Sequence, residues 1–125
     1  MERKDVLALM VDDEKAALDL FTRLLAFYEV KLKTASDVDS ALSLSKSGKF
    51  DIIFLDVSLP KSNGFELMKE LKVTNPNSRY VMMTGYSPDD FDKEIKENGV
   101  VDFLEKPFQI SAILACIDKV CAEKE

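Results

Sequence analysis

A chain of 125 residues, 46% hydrophobic and 32% charged, has the size and composition of one soluble domain with a single real core. Its formal net charge of −6 argues against direct DNA or RNA binding, and the complete lack of histidine removes Ser-His and Cys-His nucleophile pairs and the usual zinc sites. No apolar run approaches the roughly 20 residues of a membrane span, and Val6–Val11 is too short for a signal-peptide core, so the expected location is the cytoplasm, away from the membrane.

Val6 to Val11 reads as a buried first strand that runs straight into Asp12-Asp13-Glu14. Over Glu14 to Tyr28 the residues Ala17, Leu20, Phe21, Leu24, Leu25 and Tyr28 predict an amphipathic helix. Val30, Leu32 and Thr34 alternate with two lysines, the pattern of a strand with one exposed face. Asp37 is placed to cap a helix running to about Ser47, with Gly48 as its stop.

Ile52-Ile53-Phe54-Leu55 is apolar without interruption, as in a strand buried on both faces of a parallel sheet. Asp56 ends it, and Pro60 follows within four residues. Phe65, Leu67, Met68 and Leu71 mark a third helix closed by Asn75-Pro76, and Tyr80 to Met83 a fourth strand. Ser87-Pro88-Asp89-Asp90 combines a cap, a first-turn proline and two acids, so a helix should start there and end at Gly99. Phe91 and Ile95 give that helix only a thin apolar stripe. Val100 to Leu104 reads as a fifth strand, and Ile110, Ile113, Leu114, Ile117 and Cys121 line a last helix. Cys116 and Cys121, five apart on that helix, point about 140° from each other and cannot form a disulfide.

Five βα units with short connections predict a doubly wound α/β domain with a five-stranded parallel sheet, flavodoxin-like, of order 2-1-3-4-5. Polar residues then gather where four strands end: Asp12-Asp13, Asp56, Thr84 and Lys106. Each has a plain structural reading, respectively a helix cap, a strand-ending turn, a turn and a loop. In a parallel sheet, however, all four ends share one edge, so residues more than ninety positions apart converge on one pocket.

Taken in this order and spacing, Val11-Asp12-Asp13-Glu14, Leu55-Asp56 with Pro60 and Gly64, Thr84-Gly85 and Phe103-Leu104-Glu105-Lys106-Pro107-Phe108 make the chain resemble a receiver domain of the two-component response-regulator family, over residues 1–125 as a single domain. The resemblance implies a divalent metal, Mg²⁺ or Mn²⁺, held by Asp12, Asp13, Asp56 and the backbone carbonyl of Ser58. It also implies phosphorylation of Asp56 from a phosphohistidine on a histidine kinase or histidine phosphotransfer protein. Thr84 and Lys106 would complete the catalytic set, Lys106-Pro107 resembles the family's cis peptide, and Thr84 with Phe103 would form the switch. The fourth helix, fifth strand and fifth helix would face an output protein or domain, or a second copy in a homodimer. Asn63 stands where the family often has Asp, and Val100-Val101 where Ala is common.

The chemistry of these side chains agrees with those roles. Three carboxylates in one pocket against a single ammonium must raise a pKa or recruit a cation, and Mg²⁺ would bring the charge to zero. A carboxylate can serve as nucleophile to give an acyl phosphate, with cation and lysine neutralising the transferring oxygens and the Thr84 hydroxyl donating to one of them. The resemblance further implies that Ser58 and Tyr86, two beyond Asp56 and two beyond Thr84, flank the water that later hydrolyses the product, and a short Ser58 and a bulky Tyr86 predict slow decay. A flavin-binding protein of the same fold would need a Ser/Thr/Gly-rich loop after the first strand where this chain has Asp-Asp-Glu. A haloacid-dehalogenase-type phosphatase would need a second acid at position 58, which is Ser58. A receiver-like module that no longer takes phosphate is disfavoured by the intact acid, Thr and Lys set.

Overall fold

Five parallel strands build the sheet, and the computed structural model describes residues 1–98 and 102–124. The strands are β1 (Leu7–Val11), β2 (Lys31–Ala35), β3 (Ile52–Asp56), β4 (Arg79–Thr84) and β5 (Asp102–Glu105). Between and after them lie α1 (Lys15–Phe27), α2 (Val38–Ser47), α3 (Gly64–Thr74), α4 (Asp92–Asn98) and α5 (Ile110–Glu123). Their lateral order is 2-1-3-4-5 with every neighbouring pair parallel, as the βα alternation predicts.

Alternation along the central strands divides the core in two. Ala8, Met10, Ile52, Phe54, Val81 and Met83 face Leu18 and Leu25 of α1 and Ile113 and Ile117 of α5. Leu9, Val11, Ile53, Leu55 and Met82 face Ala41 of α2 and Phe65, Leu67, Met68 and Leu71 of α3. Because β3 is buried along its whole length, its terminal Asp56 is buried too. At the edge, β2 exposes Lys31 and Lys33, which discourages pairing with another strand.

Local chemistry accounts for the ends of these elements. The Asp37 carboxylate accepts from the Ser40 amide at 2.7 Å, and the Asn63 carboxamide from the Glu66 amide at 2.9 Å, capping α2 and α3. Asn63 thus does the work of an N-cap in the position where an Asp is often found. Lys61 carries the turn before α3 at φ 67°, between the two-residue pairs Ser58–Leu59 and Ser62–Asn63.

Two expectations need correction. On α1 the buried residues are Leu18 and Leu25, while Leu20 is 53% exposed. Apolar side chains surround most of that helix, so two stripes were compatible with its sequence, and packing on β1 selected the one through Leu18, Phe21 and Leu25. Ser87 caps the segment it precedes, accepting from the Asp89 amide at 3.3 Å, but the first turn, Pro88–Phe91, is a 3-10 helix and the α-helix begins only at Asp92. No residue of α4 is buried, so there is little apolar contact to hold a regular first turn. A short 3-10 turn at Arg3–Asp5, also unanticipated, precedes β1. Gly99 and Val100-Val101 lie outside the described residues. Cys121 is buried, Cys116 half-buried, and both are free thiols.

At the amino edge of the sheet, opposite the site, polar groups are matched partner for partner. The buried Asn75 accepts from the Phe50 amide, donates to the Ser45 carbonyl, and its own carbonyl accepts from the Tyr80 hydroxyl. Burial pushes that phenol well above its usual value, so it stays a donor. Arg79 binds Asp102 and Glu123, each at 2.7 Å, and Lys124 binds Asp51 at 2.8 Å.

Candidate functional site

The carboxyl ends of β1, β3, β4 and β5 bring together the residues that the sequence marks. Asp12 follows β1 directly and is 4% exposed; Asp56 is the last residue of β3 and is 6% exposed. Asp13, between Asp12 and the Glu14 cap of α1, is exposed. One carboxylate oxygen from each of the three lies within 4.8 Å of the others. Lys106, just past β5, reaches between two of them: its Nζ donates to Asp12 Oδ2 at 3.0 Å and to Asp56 Oδ2 at 2.9 Å.

The remaining oxygens are also held. Asp12 Oδ1 accepts from the Glu14 amide and Asp56 Oδ1 from the Ser58 amide, both at 3.0 Å. Position 58 therefore orients the acid through its backbone, while its side chain stays exposed. Thr84 ends β4 and is 2% exposed. It neighbours Asp56 through the register of β3 and β4, in which Asp56 pairs with Met83. Its Oγ1 accepts from the Tyr86 amide at 2.9 Å, leaving the hydroxyl proton available to a ligand. The Lys106 amide donates to the Thr84 carbonyl at 2.6 Å, and the Lys106–Pro107 peptide is cis.

Electrostatics makes this cluster a place that holds protons. Burial pushes the Asp56 carboxyl above its usual range, and the hydrogen bonds from Lys106 and Ser58 offset that only in part. Burial pulls Lys106 down, but hydrogen bonds to Asp56 and Asp12 outweigh it and hold the ammonium above the ordinary lysine value. Both shifts follow from two buried acids, Asp12 and Asp56, facing one ammonium at a partly dry edge. The donor set, oxygen only and net negative, fits a hard divalent cation such as Mg²⁺, Mn²⁺ or Ca²⁺.

Gly64 explains why the loop after β3 can close over the acid. A Cβ there would lie 2.5 Å from the Asp56 carbonyl oxygen and 2.6 Å from Met82 Cε. The close approach, rather than a special backbone angle, requires glycine. From sequence it stood out only as part of a motif.

Two aromatic contacts beside the site had no signal in periodicity or spacing. Phe103 of β5 is half-buried and stacks on Phe91, with ring centroids 6.1 Å apart, while Phe65 of α3 packs beside both. Phe108 stacks on Phe21 of α1 at 5.5 Å. Tyr86 is 64% exposed at the mouth of the site.

Among known proteins, residues 8–118 match the model of the response regulator receiver domain. The chain is 35% identical over 99 residues to the alginate biosynthesis transcriptional regulatory protein AlgB of Pseudomonas aeruginosa, covering 79% of this chain and 22% of that one. It is 30% identical over 111 residues to the sporulation initiation phosphotransferase F of Bacillus subtilis, covering 89% and 90%. Among solved structures, a response regulator from Burkholderia pseudomallei with a phosphorylated aspartic acid, calcium ion and citrate superposes with a TM-score of 0.80 at 27% identity, over 96% of this chain and 73% of that one. The chain therefore spans less than a third of some curated relatives and most of others.

Proposed function

The chain belongs to the response regulator receiver domain family of two-component signalling, and on that premise we propose that residues 1–125 act as one receiver whose phosphoryl acceptor is Asp56. The observation that carries this reading is the Lys106 ammonium bridging two buried carboxylates, Asp12 and Asp56, at the carboxyl edge of the sheet. Asp12, Asp13 and Asp56, with the Ser58 carbonyl, would hold a Mg²⁺ or Mn²⁺ ion. When bound, that ion supplies charge neutralisation for the incoming phosphoryl oxygens.

The chain's own groups do the rest. The Ser58 amide fixes Asp56 Oδ1, and the other oxygen, Oδ2, lies against the Lys106 ammonium. That oxygen attacks the phosphorus of a phosphohistidine on a histidine kinase or histidine phosphotransfer protein. A P–O bond forms, the P–N bond breaks, and the departing imidazole keeps the electron pair and takes up a proton. Lys106, already 2.9 Å from Asp56 Oδ2, pairs with the new phosphoryl charge, and the free Thr84 proton is donated to another of its oxygens. Return to the ground state adds water at phosphorus, releasing phosphate and regenerating the carboxylate.

Signal transmission in this reading runs through Thr84 and Phe103 to α4, β5 and α5, the face offered to an output domain, a separate output protein or a second copy. The protein works in the cytoplasm without binding nucleic acid itself; among the described residues no helix is long and apolar enough to cross a membrane. Incubation with acetyl phosphate and Mg²⁺ should add one phosphoryl group by intact mass, and Asp56→Asn should stay unmodified. Equal labelling of that variant would remove Asp56 from the role. ATP alone should give no label, because the chain has no histidine to relay it.

A further inference from the structure

Lys106 is placed from two sides. On one, its amide closes the end of the sheet by donating to the Thr84 carbonyl. On the other, Pro107 has no amide hydrogen to offer. The next residue, Phe108, half-buried, lays its ring on Phe21 with centroids 5.5 Å apart and planes 24° from parallel. Phe21 belongs to α1, the helix that starts immediately after Asp12-Asp13 and whose cap residue, Glu14, donates its amide to Asp12 Oδ1. One rigid helix thus carries the acid pair at its entrance and, nearly two turns in, the ring on which the lysine loop rests.

We propose that Phe21 is a positioning residue for phosphoryl transfer: its stack with Phe108 sets the distance between the loop bearing Asp12 and Asp13 and the loop bearing Lys106. Offset-stacked rings favour a particular separation and tilt, which an aliphatic side chain does not impose. With the stack in place, Nζ is shared between Asp12 and Asp56 at 3.0 and 2.9 Å. Without it, the loop pivots about the Thr84 carbonyl and the lysine spends less time between the carboxylates. Displacing a catalytic group by about 1 Å can cost about 100-fold in rate. A loosened anchor costs part of that, about fivefold.

This inference rests on the acceptor reading of Asp56, so its test has one arm that does not. In metal-free protein, the acylation rate of each lysine by a mild amine reagent is followed by peptide mass spectrometry. Phe21→Leu should expose Lys106 to acylation about threefold faster and leave Lys15, Lys33 and Lys119 unchanged. Phe108→Leu, which breaks the same stack from the loop side, should do the same, and Phe21→Tyr, which keeps the ring, should restore the wild-type rate. In the second arm, Phe21→Leu should lower the maximal rate of Asp56 phosphorylation at saturating acetyl phosphate about fivefold. Mg²⁺ affinity by calorimetry should change less than twofold, and Phe21→Tyr should again rescue. Unchanged Lys106 acylation in both leucine variants, or a Phe21→Tyr variant as defective as Phe21→Leu, would overturn the positioning role. Loss of labelling in the wild type itself would instead overturn the acceptor reading, with the acylation arm still deciding what Phe21 does.

Discussion

The two edges of the sheet carry comparable numbers of charges and handle them in opposite ways. At the amino edge, Asp51, Asp102 and Glu123 face Arg79, Lys119 and Lys124, three acids against three bases, each within ion-pair distance of a partner. At the carboxyl edge, Asp12, Asp13 and Asp56 cluster together, and among the described residues only Lys106 pairs with any of them, bridging Asp12 and Asp56. The balanced edge is neutralised by the chain's own ion pairs. The unbalanced one leaves negative charge for a ligand to complete, which in the proposed function is first a cation and then a phosphoryl group. Perturbed titration beside an opening marks a site in a way that a salt bridge count does not.

Substitution on each edge should therefore have a distinct signature, and the largest effect lies in the pair Asp13→Ala and Arg79→Met. Asp13→Ala removes one of three anionic ligands and should weaken Mg²⁺ binding at least tenfold. In metal-free buffer it should keep or raise the melting temperature, because like-charge repulsion is relieved. Arg79→Met should do the reverse, with unchanged Mg²⁺ affinity and a loss of about 1 kcal/mol, or about 3–5 °C in melting temperature. Calorimetry and thermal melts with and without Mg²⁺ decide both. A destabilised Asp13→Ala protein with full metal affinity would make Asp13 a helix cap and erase the contrast.

Lys106→Ala sharpens the comparison from inside the carboxyl edge. Removing the base that bridges Asp12 and Asp56 should slow phosphorylation about tenfold without abolishing it. The response to the product should suffer more. On adding beryllofluoride, amide shifts over residues 87–98 and 102–108 should fall to less than half of those in the wild type. Wild-type shifts in that segment would show that the lysine neutralises charge without transmitting it.

How much of this was legible beforehand differs between the edges in the same way. Asp12, Asp56 and Thr84 are readable because each is a polar residue ending an apolar run, Lys106 because it follows one within two residues, and parallel topology brings such residues together. Sheet order followed from βα alternation. The amino-edge network was not readable, since Arg79, Asp102 and Glu123 are ordinary surface residue types until the register brings them side by side. The exposure of Leu20 is hidden from the sequence for a related reason, because a helix apolar on several sides leaves the choice of buried face to its neighbours. The Phe21–Phe108 and Phe91–Phe103 stacks depend on ring geometry between distant segments, to which sequence periodicity is blind.

A smaller effect separates the carboxyl edge from a satisfied pair by the sign of its pH dependence. Asp118 is held below the usual carboxylate range, mainly by its hydrogen bond from Arg3. A depressed folded value means that the pair's stability is present above the ordinary 3.8 and is lost as pH falls through the folded value. Asp56 is raised, so in its window above 3.8 the folded state binds more protons, and metal-free stability grows as pH falls through the folded value. In EDTA, Asp56→Asn should therefore be more stable than wild type at pH 7, and the gain should vanish by about pH 3. Asp118→Asn should be less stable at pH 7, and that deficit should hold down to about pH 4 and shrink only below it. Urea titrations at pH 7, 5 and 3 read both signs, and parallel curves for the two variants would refute the distinction.

The smallest effect concerns how long the phosphoryl group survives on Asp56. Hydrolysis needs a water in line with the departing Asp56 oxygen, and Ser58 and Tyr86 flank that approach in the proposed site. The Ser58 side chain is exposed and too short to hold a water firmly at phosphorus, so it offers little assistance. Tyr86 has its amide fixed to Thr84 Oγ1 while its ring is 64% exposed, so the ring can swing over the mouth without disturbing the threonine. A ring that free covers the opening only part of the time, which limits its shielding to a few-fold. Tyr86→Ala should accordingly speed decay of the acyl phosphate about threefold and leave the rate of its formation from acetyl phosphate nearly unchanged. Tyr86→Phe separates shielding from chemistry, because it keeps the ring and removes the hydroxyl. Decay at the wild-type rate in Tyr86→Phe supports a cover, whereas slower decay in both variants would mean that the Tyr86 hydroxyl orients the attacking water and that the site is built for rapid resetting.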